Sequence, residues 1–201
     1  MKKIDSFYVF AFPIVLTIGI ILIPVVSDYS NHEIAAEAVG KTFQWFAGHI
    51  ISAIAFGISL LSVNSINNFL ERHSYKLPKF ITLLMTIGAG LYAAGLGADG
   101  IGPIAVISSG SNPILFFDGS GWWVSGTFMA ATVFFGVGLI SLVGHINNAE
   151  MVNGIWRYVI FLSALVFVTV PAIPSGWGLY GEAIASFGIF WPLGIVIWRS
   201  S

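Results

Sequence analysis

The stretch WWVSGTFMAATVFFGVGLISLV, residues 122–143, runs for 22 positions without one charged side chain. As a helix rising 1.5 Å per residue it is about 33 Å long, enough to cross a hydrocarbon core of about 30 Å. In lipid only a helix or a closed barrel satisfies its own backbone hydrogen bonds. Barrel strands alternate polar and apolar residues over about ten positions. This run is continuously apolar, so it is a membrane helix.

Five further stretches share its character: residues 7–26, 43–63, 80–98, 157–174 and 178–198. Overall, 57% of the residues are hydrophobic and 8% charged, with a mean hydropathy of +0.90. A soluble domain carries about 25% charged residues to hydrate its surface. The expected fold is therefore all-α, a polytopic membrane helix bundle of about six transmembrane helices. Residues 1–201 then form a single integral membrane domain with the lipid bilayer as its first partner. The net charge of −1 gives nucleic acid no purchase. With no cysteine, disulfides, thiolate metal sites, Fe–S ligation and thiol catalysis are excluded.

Basic residues set the orientation. With the N-terminus inside, Lys2, Lys3, Arg72, Lys76, Lys79, Arg157 and Arg199 fall on the cytoplasmic side and Lys41 alone outside. Both termini are then cytoplasmic. Asp28, Glu33, Glu37, Asp99, Asp118 and Glu182 lean outward. Trp45, Trp122, Trp123 and Trp177 mark outer helix ends, and Trp156 and Trp198 inner ones, as an aromatic belt does. The first apolar run exceeds the 7–15 residues usual for a signal-peptide core, which favours a retained helix. The small size and the lack of an organelle-type leader favour a prokaryotic plasma membrane.

The longest connection, residues 99–121, is apolar, with Ile-Gly-Pro-Ile-Ala-Val-Ile followed by Pro-Ile-Leu-Phe-Phe. Pro103 and Pro113 argue against one continuous helix. Either the segment folds back as a re-entrant or interfacial element, or the third helix extends to about Ile107. A weak repeat also recurs. Trp45-Phe-Ala-Gly-His49, Trp123-Val-Ser-Gly-Thr127 and Trp177-Gly-Leu-Tyr-Gly-Glu182 open the second, fourth and sixth helices. Helices two and four also end alike, at Ile66-Asn67-Asn68 and Ile146-Asn147-Asn148. The pattern suggests a helical hairpin used three times, a symmetry common among transporters.

Polar side chains within these helices mark the candidate site, because lipid penalises them and they turn toward the bundle interior. His49, Asp99, Thr127 and Glu182 all lie in the outer half. A carboxyl group at Glu182 must be paired, protonated or facing water. His49, Ser52, Ser59 and Ser62 share one helix face, as do Gly88, Tyr92, Gly95 and Asp99. Thr127, Ala131, Phe134, Gly138, Ser141 and His145 make a third stripe of inward composition. His145, His32 and Glu33 are expected in solvent. The candidate ligand- or proton-binding residues are thus His49, Asp99, Thr127, Glu182 and Tyr92, with His49 and Glu182 as candidate metal ligands.

There is no His-Glu-x-x-His pair, phosphate-binding glycine loop, Gly-x-Ser-x-Gly elbow, arginine repeat or potassium-selectivity sequence. No motif specifies a cofactor, and a single His-ligated haem stays open. The expectation is proton- or cation-linked transport, or binding of a small molecule or ion. The alternatives are an intramembrane metal- or haem-dependent enzyme, and an accessory subunit of a larger membrane complex or homo-oligomer.

The absence of cysteine makes the orientation directly testable. Ser111→Cys should react with a membrane-impermeant maleimide in intact expressing cells, and Asn153→Cys only after permeabilisation. The reverse pattern would invert the topology.

Overall fold

The structure is a computed structural model that describes residues 2–200. The side chains of Lys2 and Lys3, counted above among the inner charges, lie outside the described residues. Seven helices follow in order: α1 (Lys2–Leu22), α2 (His32–Val39), α3 (Thr42–Arg72), α4 (Lys79–Ser108), α5 (Gly121–Asn148), α6 (Ile155–Thr169) and α7 (Trp177–Arg199). A π-helical turn, Phe116–Ser120, leads into α5, and a 3-10 turn, Val170–Ala172, closes α6. All but α2 are long and apolar enough to cross a membrane. The chain is a multi-pass membrane protein built as an all-α bundle of six spans.

The spans form a ring in chain order, α1 on α3, then α4, α5, α6 and α7, with α7 packed back on α1. The contacts of α1 with α3 and of α4 with α5 are the most extensive, as successive hairpins require. Small residues permit these approaches. A Cβ on Gly48 would stand 2.7 Å from the Ile23 amide nitrogen and 2.8 Å from the Gly19 carbonyl oxygen. Gly88 is likewise pressed against the Phe135 backbone.

Inside the ring, a connected layer of buried aromatic residues takes one member from each spanning helix: Phe12, Phe56, Tyr92, Phe135, Phe167 and Phe190, with Trp45 and Phe69 of α3 buried outside it. Phe190 meets Phe12 at 4.8 Å between ring centroids, and Phe12 meets Phe56 at 6.1 Å. Phe56 stacks on Tyr92 at 4.2 Å and meets Phe135 edge-on at 5.5 Å. Phe135 reaches Phe167 at 5.8 Å. Such pairs add about 0.5–1.5 kcal/mol each beyond the area they bury. They fill the bundle interior between its two ends.

The inward faces of α3 and α4 are those read from the sequence. His49, Ser52, Ser59, Ser62, Gly88, Tyr92 and Gly95 are all buried. On α5 the face is rotated by one position. Ala131, Phe135, Gly138 and Leu142 turn inward, Phe134 is 37% exposed, and Thr127, Ser141 and His145 are half-buried. Where lipid covers the outside, both faces of a helix are apolar, and hydrophobic contrast loses its power to choose between them. His145 is not at a solvated helix end. Its Nε2 is buried without a hydrogen-bond partner among the described residues.

The connections decide between the two readings of residues 99–121 in favour of the extended third helix. Helix α4 runs unbroken through Pro103 to Ser108, so the segment after Asp99 extends the third span and is not re-entrant. A proline inside a helix removes the amide donor to the carbonyl four residues earlier, here Asp99. That carbonyl instead accepts the Trp45 indole N–H at 2.8 Å. Trp45 is fully buried and so leaves the aromatic belt, whereas Trp122, Trp123 and Trp177 are exposed as a belt requires.

Trp45, Val26, Ala35 and Val39 form a second small core, against which Ile104, Ile107 and Phe117 pack. The apolar connection thus covers one end of the bundle together with α2. Asn31 caps α2, its side-chain oxygen accepting the Glu33 and Ile34 amides at 3.1 and 3.4 Å. His32, expected free in solvent, lies 2.6 Å from Asp118 and ties α2 to the π-helical turn. Glu33 is exposed, as expected.

Phe135→Ala should lower stability by about 3–5 kcal/mol, the cost of emptying a fully packed aromatic site. Trp123→Ala should leave it within about 0.5 kcal/mol. Reversible unfolding in mixed micelles measures both. Equal losses would contradict the aromatic layer.

Candidate functional site

The polar residues singled out from the sequence fall, among the described residues, into separate places in the bundle. The first group joins α3 to α4. Helix α3 turns His49 inward one helical turn after Trp45, and Asp99 stands seven residues beyond Tyr92 on the same face of α4. His49 Nε2 is 3.2 Å from Asp99 Oδ2, and Nδ1 is 2.6 Å from the Trp45 carbonyl oxygen. The side chains are 3% and 14% exposed. Gly100 permits the approach, since a Cβ there would come within 2.8 Å of the His49 Cβ. The Trp45 and His49 rings lie 4.6 Å apart.

Tyr29, from the connection ahead of α2, completes the surroundings. Burial, with the Asp99 charge adding to it, pushes its phenol up, so it stays neutral at physiological pH. Its amide donates to the Pro174 carbonyl at 2.9 Å, which fastens this connection to the one before α7. Nearby, Asp28 accepts from the Ser30 amide and hydroxyl at 2.8 and 2.5 Å, which hold its carboxyl below the usual range.

The second group centres on Tyr92, Thr132 and Glu182. The Tyr92 hydroxyl is 2.8 Å from Thr132 Oγ1, whose own proton reaches the Phe128 carbonyl at 2.9 Å. The tyrosine hydroxyl is thus free to donate to the threonine oxygen. Glu182 lies within electrostatic range of Tyr92. It heads a buried stripe on α7 that continues through Ser186, Ile189 and Leu193. Its Oε1 is buried and has no hydrogen-bond partner among the described residues.

The five residues singled out from the sequence therefore do not form one cluster. His49 and Asp99 are in contact, and Glu182 lies within electrostatic range of Tyr92. Thr127 joins neither group, because its hydroxyl returns to the Trp123 carbonyl of its own helix at 2.9 Å. Among the described residues no three His, Asp or Glu side chains gather as a metal site would need. Two members escaped the sequence reading. Thr132 is signalled only once the inward face of α5 is known. Trp45 is signalled by Pro103, provided the helix is allowed to continue past it.

Thr132→Val should remove the Tyr92 partner and cost about 0.5–1.5 kcal/mol, while Thr127→Val stays within about 0.5 kcal/mol. Thermal unfolding in the same detergent compares the two directly, and a larger loss at position 127 would contradict the assignment.

No protein-family model matches this chain, and neither a curated protein nor a solved structure matches it at a significant level.

Proposed function

We propose that this membrane protein carries out proton-linked transport of a small solute, with Glu182 as the group that binds and releases the coupling proton. One observation carries the reading: a carboxyl group in a membrane-spanning helix, 5% exposed, whose Oε1 has no hydrogen-bond partner among the described residues. An ionised carboxylate costs about 2.5–3.5 kcal/mol at the centre of a span on insertion scales, and burial in protein without a partner penalises the charge as well. Such a group needs a proton or a cation to be stable there. It is followed one turn later on α7 by buried Ser186 and lies within electrostatic range of Tyr92, hydroxyl groups that a translocating proton or solute can use.

The reading has the α2 end facing outward and both termini in the cytoplasm of a prokaryotic cell. The breaks around α6 and α7 fit it. Pro171 and Pro174 end one helix and Pro192 sits within the next. Interrupted helices supply mobile backbone at transporter binding sites.

A second reading, as a subunit of a larger membrane complex or homo-oligomer, is favoured by a different observation. Nothing stands within 4 Å of where side chains on Gly57, Gly90 and Gly97 would project, and small residues turned to lipid invite another helix.

Proteoliposomes enclosing a pH-sensitive dye test the transport reading against gradients of small amines, carboxylates, sugars and alkali cations. At least one gradient should drive proton movement through the wild-type protein. Glu182→Gln should slow it roughly tenfold or more, since an amide cannot ionise. Undiminished proton movement in the variant, or none with any solute in the wild type, would refute the proposal.

A further inference from the structure

The His49–Asp99 pair has a proton inventory that follows from geometry alone. The Trp45 carbonyl oxygen carries no hydrogen, so His49 Nδ1, 2.6 Å away, must be the protonated nitrogen and the donor. That leaves Nε2 facing Asp99 Oδ2 at 3.2 Å. If Nε2 were bare and the carboxyl ionised, two lone pairs would face one another in a site almost without solvent. One more proton must lie between them, on the imidazole or on the carboxyl. Either way the pair is neutral as a whole, which suits side chains only 3% and 14% exposed. Losing that proton leaves one uncompensated negative charge. Gaining another leaves one positive charge. The pair therefore holds a single exchangeable proton, and the loaded form is the neutral one.

The position of Asp99 depends on a substitution of donors. In an unbroken helix the amide of residue 103 would donate to the Asp99 carbonyl, and Pro103 has none. The Trp45 indole supplies the missing bond at 2.8 Å from the neighbouring helix. One residue thus touches both partners, the histidine through its carbonyl oxygen and the aspartate through its ring nitrogen. The Asp99 charge also acts on the buried Tyr29 phenol, which is neutral.

We propose that Trp45 is a positioning residue that holds His49 and Asp99 as a one-proton site, its indole standing in for the amide that Pro103 lacks. The site is separate from Glu182, and the inference does not rest on the role proposed for that residue. A proton acceptor in this place gives the α2 end of the bundle a station that binds one hydrogen ion.

The substitution of donors can be undone and restored. In Trp45→Phe the ring remains and the N–H is lost. In Pro103→Ala an amide appears that can donate to the Asp99 carbonyl without help. Nitrogen-15 and proton NMR of histidine-labelled protein in lipid reads the His49 ring, with His49→Gln assigning its signals among the four histidines. In the wild type, Nδ1 should be protonated and the bridging proton at Nε2 slow to exchange with water. Trp45→Phe should speed that exchange roughly five- to tenfold, the factor that one hydrogen bond is worth. Adding Pro103→Ala to Trp45→Phe should restore the slow exchange, and Asp99→Asn should abolish the bridging-proton signal. A bare Nδ1, an unchanged exchange rate in Trp45→Phe, or a double variant no slower than Trp45→Phe alone would overturn the proposal.

Discussion

A hydrogen bond left open in hydrocarbon has no water to close it, and the α2 end of this protein is organised around that constraint. Pro103 opens one such bond in α4, and Trp45 closes it from α3. Closing it fixes two helices against each other at the level where Asp99 meets His49. It also draws a tryptophan out of the membrane interface, where its sequence position suggests a belt residue, into complete burial. The small core of α2, Ile104, Ile107 and Phe117 then has a hydrophobic surface on which to settle. A single missing amide thereby links the path of a helix, the placing of an ionisable pair and the shape of one end of the molecule.

Deeper in the bundle the governing interaction is packing. Six aromatic residues, one from each span, fill the interior, and Tyr92 belongs to both this layer and the polar group beside it. Its ring stacks on Phe56 while its hydroxyl meets Thr132 on α5. That double membership ties the position of the polar atoms to the least compressible part of the fold. Glu182 stands in contrast. Its helix is well packed, yet its carboxyl oxygen is left without a bond among the described residues. Buried side-chain atoms of Thr17, Ser52, His145 and Asn147 share that condition among the described residues, and Glu182 differs from them in being a carboxyl group that can carry a charge.

Much of the architecture is legible in the amino-acid sequence because apolar length is a direct physical requirement of spanning a bilayer. The six runs and the inward faces of α3 and α4 follow from it. The faces of α3 and α4 are marked by serines and glycines that have no place against lipid. On α5 such marks are sparse, and Phe134 and Phe135 are chemically equal candidates for the interior. Choosing between them depends on Gly88 in α4, against which Phe135 packs, and no local pattern contains that information. Pro103 leaves two courses open for a related reason. A proline breaks a helix only when the carbonyl it frees finds no other donor, and here the donor lies 54 positions away in sequence. Of the candidate site, His49, Asp99, Tyr92 and Glu182 are legible singly, as polar side chains within apolar helices, but their pairing is not. Their separation into two groups depends on side-chain directions that helical spacing alone does not fix.

The central proposal is that Glu182, whose Oε1 has no hydrogen-bond partner among the described residues, binds and releases a proton. Infrared difference spectroscopy of the protein in lipid, between acid and alkaline conditions, addresses it most directly. A carboxylic C=O stretch in the range of groups free of strong hydrogen bonds should appear, vanish in Glu182→Gln and persist in Asp99→Asn. A spectrum without that band, or one that Glu182→Gln leaves unchanged, would contradict the account.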